Sequence, residues 1–89
     1  TATLLGYLGA NVRRWRLRCD LTQEELAERA EIDVRFVQRV ERGTVDLRFR
    51  SFARIAAALG APPAQLLRRA KKEPVRVGRP KMKKSAKRS

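Results

Sequence analysis

The 89-residue chain contains no histidine and a single cysteine, Cys19. One cysteine excludes an internal disulfide, and without histidine the scattered carboxylates provide neither a plausible zinc site nor a nucleophile–base pair for catalysis. We therefore expect a protein that is not an enzyme and that needs no cofactor. Cys19 is most simply explained as a small apolar residue of the core.

Long apolar runs are also missing. No stretch approaches the roughly 18–20 residues that a membrane-spanning helix needs, and no secretory signal pattern is found. These absences predict a soluble, cytoplasmic protein with no membrane partner. A chain of this length accommodates one small domain with a modest core.

Acidic residues are scarce, since 22 Lys and Arg stand against 9 Asp and Glu, for a formal net charge of +13. Residues 1–70 carry thirteen basic and eight acidic groups, whereas residues 71–89 carry nine basic and one acidic. The excess indicates a polyanionic partner, with nucleic acid favoured over an anionic membrane surface. Its uneven distribution predicts that the two regions act differently.

Apolar periodicity predicts a first helix over about Tyr7 to Cys19, after a lead-in over residues 1–6. Its buried face repeats at spacings of four, three and four residues, at Leu8, Val12, Trp15 and Cys19. Thr22 followed three residues later by Glu25 is a capping box, so a second helix should begin at Gln23.

The residues from Glu31 to Asp33 form the next turn, with Asp33 placed to cap a third helix over Val34 to Arg42. Gly43 can adopt the positive φ that ends this helix. A fourth helix is expected over Arg48 to Leu59, burying Phe49, Phe52, Ile55, Ala56 and Leu59. Pro63 suits the first turn of a fifth helix that buries Leu66 and Leu67.

The third helix carries an uninterrupted polar and positive stripe. A rotation of about 100° per residue places four side chains together, opposite the apolar face: Arg35, Gln38, Arg39 and Arg42, here called the recognition stripe. Arg offers a bidentate fork to guanine, Gln offers an amide to adenine, and both hold phosphate. A solvated helix face is the alternative, but such faces normally mix charges of both signs. The helix is therefore suited to a DNA groove.

The chain resembles the Cro and phage-repressor (Xre-type) helix-turn-helix family. The resemblance covers roughly Leu8 to Leu67 and rests on VRRWRLRCDLTQEELAERA, on ERG at the end of the third helix, and on SFARIAAALG. It implies an all-α, five-helix, lambda-repressor-like DNA-binding domain over residues 7–70. The basic tail over residues 71–89 is expected to be disordered for a different reason, because its apolar periodicity stops and it has little to bury. The resemblance also implies binding to double-stranded DNA, commonly as a homodimer on two half-sites, and a prokaryotic, nucleoid-associated protein.

Position by position, the resemblance also assigns roles to individual side chains. Base contacts are assigned to Val34, Arg35, Gln38 and Arg39, and phosphate contacts to Gln23, Arg42, Thr44, Arg48 and Arg50. Arg16 is paired with Glu41 in a salt bridge that fixes the angle between the first and third helices. The alternative for this pair is an accidental surface contact worth nearly nothing.

Two positions depart from the family pattern. Leu47 stands where many members have Pro, and Phe36 occupies a site that is often small or polar. Phe36 lies at the border of the buried arc, so we expect it to pack against the loop before the fourth helix. A contact with DNA sugar or a base methyl is the alternative.

The tail contains the segment from Val77 to Lys81, VGRPK, which resembles an AT-hook. In that motif an extended backbone lies in the minor groove of AT-rich DNA, here with Arg79 inserted and Lys81 beside it. Non-specific phosphate binding, or binding of RNA or an acidic partner, are alternatives for so short a motif.

The leading functional hypothesis is a sequence-specific DNA-binding transcriptional regulator. One alternative is an antitoxin-like protein-interaction module that also binds its own operator, with the tail as the partner-binding segment. Another is an architectural DNA-binding protein. A partner of acidic pI encoded next door would favour the antitoxin-like alternative.

Overall fold

The computed structural model describes residues 3–69, which form five helices and no strand. The helices are α1 (Leu4–Arg18), α2 (Gln23–Ala30), α3 (Val34–Arg42), α4 (Phe49–Leu59) and α5 (Pro63–Leu66). The predicted all-α, five-helix fold is confirmed. None of the helices in this part of the chain is long and apolar enough to span a membrane. The AT-hook-like segment over residues 77–81 lies outside the described residues.

Every helix contributes one fully buried side chain to a single core. These side chains are Val12, Leu26, Val37, Ile55 and Leu66, each 0% exposed. Helix α3 packs against α1 and α2, while α5 packs against α1 and α4. Burying a side chain of this size contributes about 1.5–3 kcal/mol, so the core holds α3 against the first two helices.

The predicted capping box begins α2. The Thr22 hydroxyl accepts a hydrogen bond from the Glu25 N–H at 3.0 Å, and the Thr22 N–H donates to the Glu25 carboxylate at 2.8 Å. Two backbone donors of the helix start are thereby satisfied, which fixes Gln23 as the first helical residue.

Helix α3 is bounded by the two residues that the sequence indicates. The Asp33 carboxylate accepts a hydrogen bond from the Arg35 N–H at 2.7 Å, and Gly43 ends the helix with φ 73°. Between α2 and α3, Glu31 adopts φ 60°, a left-handed conformation that is unusual without glycine. This tight turn sets the angle at which α3 leaves α2.

Helix α1 begins earlier than the sequence analysis predicts. It starts at Leu4 rather than near Tyr7, because the Thr3 hydroxyl caps it by accepting a hydrogen bond from the Gly6 N–H at 3.0 Å. Residues 4–6 are therefore helical and do not form a loose lead-in. A lone Thr without a following Glu or Gln is a weaker start signal than a capping box.

Three predicted core residues are exposed. Cys19 is the residue after α1, where the helical register ends, and it is exposed. Phe49 is 81% exposed and Leu67 is 40% exposed, because no described element covers these helix ends. Arg48 precedes α4 as its N-cap and is not part of the helix. Phe36 is partly buried against the core.

Candidate nucleic-acid interface

The recognition stripe lies on the outer face of α3. Arg35, Arg39 and Arg42 are exposed, and Gln38 is half-buried beside them. The opposite face is anchored in the core by Val37 and Val40. Within residues 3–69 the one ion pair involves other residues, so none of the three stripe arginines is paired with a carboxylate of this part of the chain.

Val34, the first residue of α3, is partly in contact with the core and partly exposed to solvent. Its side chain is half-buried and packs against the core. Only its outer part remains available for the apolar base contact that the resemblance assigns to it. Its packing helps to fix the first turn of α3, from which Arg35 projects.

A buried ion pair joins α1 to α3, and it is the pair that the resemblance suggested. Arg16 Nε donates to Glu41 Oε2 at 2.7 Å, and Arg16 Nη2 donates to Glu41 Oε1 at 3.2 Å. The two side chains are only 10% and 5% exposed. Arg16 Nη1 also donates to the Leu21 carbonyl at 2.8 Å. The pair therefore connects α1, α3 and the loop before α2.

Gln23 shares this network. Its Nε2 donates to Glu41 Oε1 at 3.1 Å, so its amide nitrogen is engaged inside the protein. Its backbone N–H lies in the first turn of α2, where helical N–H groups lack intrahelical partners and favour anions. The group of Gln23 best suited to a phosphate is therefore its backbone N–H, held in place by its own side chain.

A cavity of about 510 Å³ opens beside the recognition stripe. Its lining residues are Arg13, Gln23, Gln38, Glu41 and Arg42. No role for Arg13 is predicted from the sequence. Helical periodicity directs Arg13 away from the core, but it does not show that the packing of α1 on α3 brings Arg13 to the same cavity as Arg42. The structure thus adds one cation to the candidate interface.

The residues at the start of α4 are poorly suited to begin a helix. Arg48 occupies the N-cap without a side-chain capping hydrogen bond, and the first turn holds Arg50 and no acid. Ser, Thr, Asp or Asn would normally be preferred at the N-cap, and the positive end of the helix dipole disfavours cations. Two exposed arginines at this position favour an external anion.

The hydroxyl and backbone N–H of Thr44 are already engaged in hydrogen bonds within the protein. Its hydroxyl and its N–H both donate to the Arg39 carbonyl, at 3.3 and 3.1 Å, and so satisfy the end of α3. A contact between the Thr44 hydroxyl and a phosphate would compete with this bond.

Arg79 and Lys81, assigned to the minor groove, lie outside the described residues. Over residues 3–69 no cluster of His, Cys, Asp and Glu is arranged to hold a metal ion.

The chain is similar to known proteins in sequence and in structure. The model of a helix-turn-helix domain family matches residues 7–70. The restriction-modification controller protein C.AhdI from Aeromonas hydrophila is 32% identical, and the match covers 70% of this chain and 94% of C.AhdI with a TM-score of 0.67.

Two further solved structures are similar to this chain. The hypothetical transcription factor NHTF from Neisseria is 34% identical, with 75% of this chain and 77% of NHTF covered and a TM-score of 0.72. The clp gene regulator ClgR from Corynebacterium glutamicum is 32% identical, with 73% and 69% covered and a TM-score of 0.70. No curated protein matches the chain.

Proposed function

The chain belongs to the helix-turn-helix domain family of DNA-binding transcriptional regulators, and we propose on that premise that it reads a specific sequence with α3 in the major groove. The recognition stripe carries this proposal, because its guanidinium groups are exposed and none of them is in an ion pair with a described carboxylate. Arg35, Gln38 and Arg39 contact base edges, and Val34 adds an apolar contact. The similar structures are named for regulators and a controller protein, which supports binding rather than catalysis.

Phosphate contacts flank this helix on both sides. On one side Arg13 and Arg42 line a shared cavity with Gln23, whose backbone N–H lies in the first turn of α2. On the other side Arg48 and Arg50 surround the start of α4. Phosphate contacts of this kind set the register of a protein on the duplex but carry no sequence information.

The tail adds affinity for DNA, and a second copy of the chain adds specificity. Nine basic residues against one acidic residue in residues 71–89 add phosphate affinity, and Arg79 and Lys81 enter the minor groove. A single α3 reads only a few base pairs, so a homodimer on two half-sites supplies the remaining specificity. Such a protein acts in the cytoplasm of a prokaryote, in association with the nucleoid.

Replacing Arg35 or Arg39 with Ala is expected to flatten the sequence preference. Loss of a good bidentate base contact removes about 1–3 kcal/mol of discrimination at one base pair. Binding of each variant to the selected site and to single-base mismatches measures this effect. Arg14→Ala, which removes the same charge from an exposed site on α1, should retain the discrimination. If both stripe variants discriminate as the unmodified protein does, α3 is not the reading helix.

Replacing Arg48 with Ser is expected to change stability and DNA affinity in opposite directions. Ser caps the helix start with its hydroxyl and removes a cation from the positive end of the dipole, a gain of about 1 kcal/mol in unfolding free energy. The lost phosphate contact weakens binding to all sequences and lowers the slope of log K against log salt by about 0.9. Urea unfolding and a salt titration of DNA binding measure the two effects. Unchanged affinity would remove Arg48 from the interface.

Selection from a random duplex library tests the proposal as a whole. It should be run near physiological salt with the intact chain and with residues 1–72. A shared inverted repeat is the expected result, with weaker binding and a smaller salt slope for the shortened protein. An AT-rich preference restricted to the intact chain would favour the architectural alternative. No enrichment with either protein would favour the protein-partner alternative.

A further inference from the structure

A second cluster of arginines lies away from the recognition stripe. It surrounds a cavity of about 270 Å³ between α1 and α5, here called the α1–α5 cavity. The cavity is lined mainly by Arg14, Trp15, Arg18, Gln65, Arg68 and Arg69. DNA reading by α3 makes no use of these side chains.

The charged residues that line the α1–α5 cavity are all positive. All four arginines are exposed, none of the described lining residues is acidic, and none of the four is in an ion pair within residues 3–69. Placing like charges together is unfavourable for the isolated protein. Guanidinium groups are also well suited to bidentate carboxylate binding, so an anionic ligand would relieve the repulsion.

The same cavity contains aromatic surface. Trp15 is half-buried, and the Arg18 guanidinium lies 5.6 Å from the centroid of its ring. This cation–π arrangement orients Arg18 across the indole. The remaining indole surface can pack against an apolar side chain while the neighbouring arginines bind carboxylates. The arrangement therefore suits a segment that mixes acidic and apolar residues.

A buried amide holds the two sides of the cavity together. Asn11 is 4% exposed, and its Nδ2 donates to the Leu66 carbonyl at 2.9 Å and to the Arg68 carbonyl at 2.8 Å. These bonds attach the end of α5 and the residues after it to α1. Arg68 and Arg69 are consequently positioned near Arg14 and Arg18 before any ligand binds, which lowers the ordering cost of binding.

The location of the cavity allows it to act while DNA is bound. Arg13 lines the cavity beside the recognition stripe, whereas Arg18 projects about 140° away around α1 at 100° per residue. Helix α5 packs against α1 and α4, and α3 packs against α1 and α2. A duplex seated on α3 would therefore leave the α1–α5 cavity open.

We propose that the α1–α5 cavity docks an acidic segment of a protein partner. Carboxylates of the segment pair with the arginines, and an apolar side chain packs against Trp15. The cavity is smaller than the roughly 300–1,000 Å³ of pockets that enclose drug-sized ligands, which favours inserted side chains over an enclosed small molecule. The chain's own basic tail, with nine basic residues and one acidic residue, is repelled by the same charge.

Trp15 is the single tryptophan of the chain, so its fluorescence reports directly on this cavity. The probe is a short synthetic peptide of Glu residues around one Phe, titrated into the full chain. A saturable change in Trp15 emission is expected. The same peptide with Gln in place of every Glu should produce none. The Arg14→Gln/Arg18→Gln variant should weaken peptide binding by about tenfold, because two charge-assisted contacts are lost.

Arg13→Gln is the matched control, since it removes an exposed charge from another side of the same helix. It should leave peptide affinity unchanged, and peptide should bind equally well to the complex of the protein with its selected duplex. A loss of binding free energy in Arg13→Gln about half as large as in the double variant, which removes two charges, would mean unspecific charge attraction and would overturn the proposal. Displacement of the peptide by duplex DNA, with loss of DNA affinity in the double variant, would make the cavity a nucleic-acid surface instead.

Discussion

Replacing Arg16 with Met is expected to lower the free energy of unfolding by about 3–5 kcal/mol. The change leaves the Glu41 carboxylate, 5% exposed, without its bidentate partner. Only the Gln23 amide, at 3.1 Å, continues to donate to it. The Leu21 carbonyl also loses the donor that Arg16 provides at 2.8 Å. An unpaired buried charge is costly because neither water nor protein solvates it adequately.

A double-mutant cycle separates the pair itself from the cost of an unpaired charge. Glu41→Leu should also be strongly destabilising, because it leaves the Arg16 guanidinium buried with the Leu21 carbonyl as its main acceptor. The double variant Arg16→Met/Glu41→Leu removes both charges and should be more stable than the sum of the single changes predicts, by about 2–3 kcal/mol. Urea unfolding monitored by circular dichroism provides all four values.

Arg14→Met controls for the loss of an arginine from α1. Arg14 is exposed, so its replacement should change stability by no more than about 0.5 kcal/mol. A loss for Arg16→Met as small as that of this control would show that the Arg16–Glu41 pair is not part of the scaffold. The folded double variant also tests function. If the pair positions Gln23 and α3, the DNA discrimination of the double variant should fall even though the protein is folded.

Replacing Gly9 with Ala is expected to lower the free energy of unfolding by about 2–3 kcal/mol. A Cβ at this position would overlap the Val40 carbonyl oxygen and lie 2.8 Å from the Glu41 carbonyl oxygen. Both atoms belong to the α3 backbone, which cannot move aside without shifting the helix. Inside a helix, replacing Gly with Ala ordinarily stabilises a protein by about 1 kcal/mol. At Gly9 the close approach of α1 and α3 makes the same replacement destabilising.

Gly6→Ala is the control in the same helix. A Cβ at Gly6 would have one near neighbour, the Thr3 hydroxyl oxygen at 3.2 Å. This substitution should be neutral or should gain up to about 1 kcal/mol from helix propensity. Thermal unfolding of the two variants beside the unmodified protein distinguishes the cases. Equal stability for Gly9→Ala and Gly6→Ala would mean that α1 and α3 are not in backbone contact at Gly9.

The helix bounds that the sequence indicated correctly are those with strong local signals. The capping box of Thr22 and Glu25, the Asp33 cap and the positive φ of Gly43 all act within a few residues of the chain. Helix α1 had only the lone Thr3 as a start signal, and its start was placed three residues late. The stripe on α3 was also predictable, because one helix's periodicity determines which side chains share a face.

The candidate site was less predictable where it depends on neighbouring helices. The sequence directed Arg13 outward but could not show that it shares a cavity with Arg42. The resemblance assigned Gln23 to the DNA backbone but did not indicate that its side chain is bound to Glu41. Phe49 satisfies the periodicity of a buried face and is nevertheless exposed. Periodicity identifies a face, but burial requires another element to cover it.

The sequence alone was enough to predict five helices, the recognition stripe on α3 and the basic tail, because caps, periodicity and charge are local properties of the chain. The packing of the helices was needed to show that α1 meets the α3 backbone at Gly9, that Asn11 attaches the end of α5 to α1, and that the exposed arginines of α1 line two different cavities. These features depend on distances between residues far apart in the chain. Such distances are set only when the apolar faces of all five helices pack into one core.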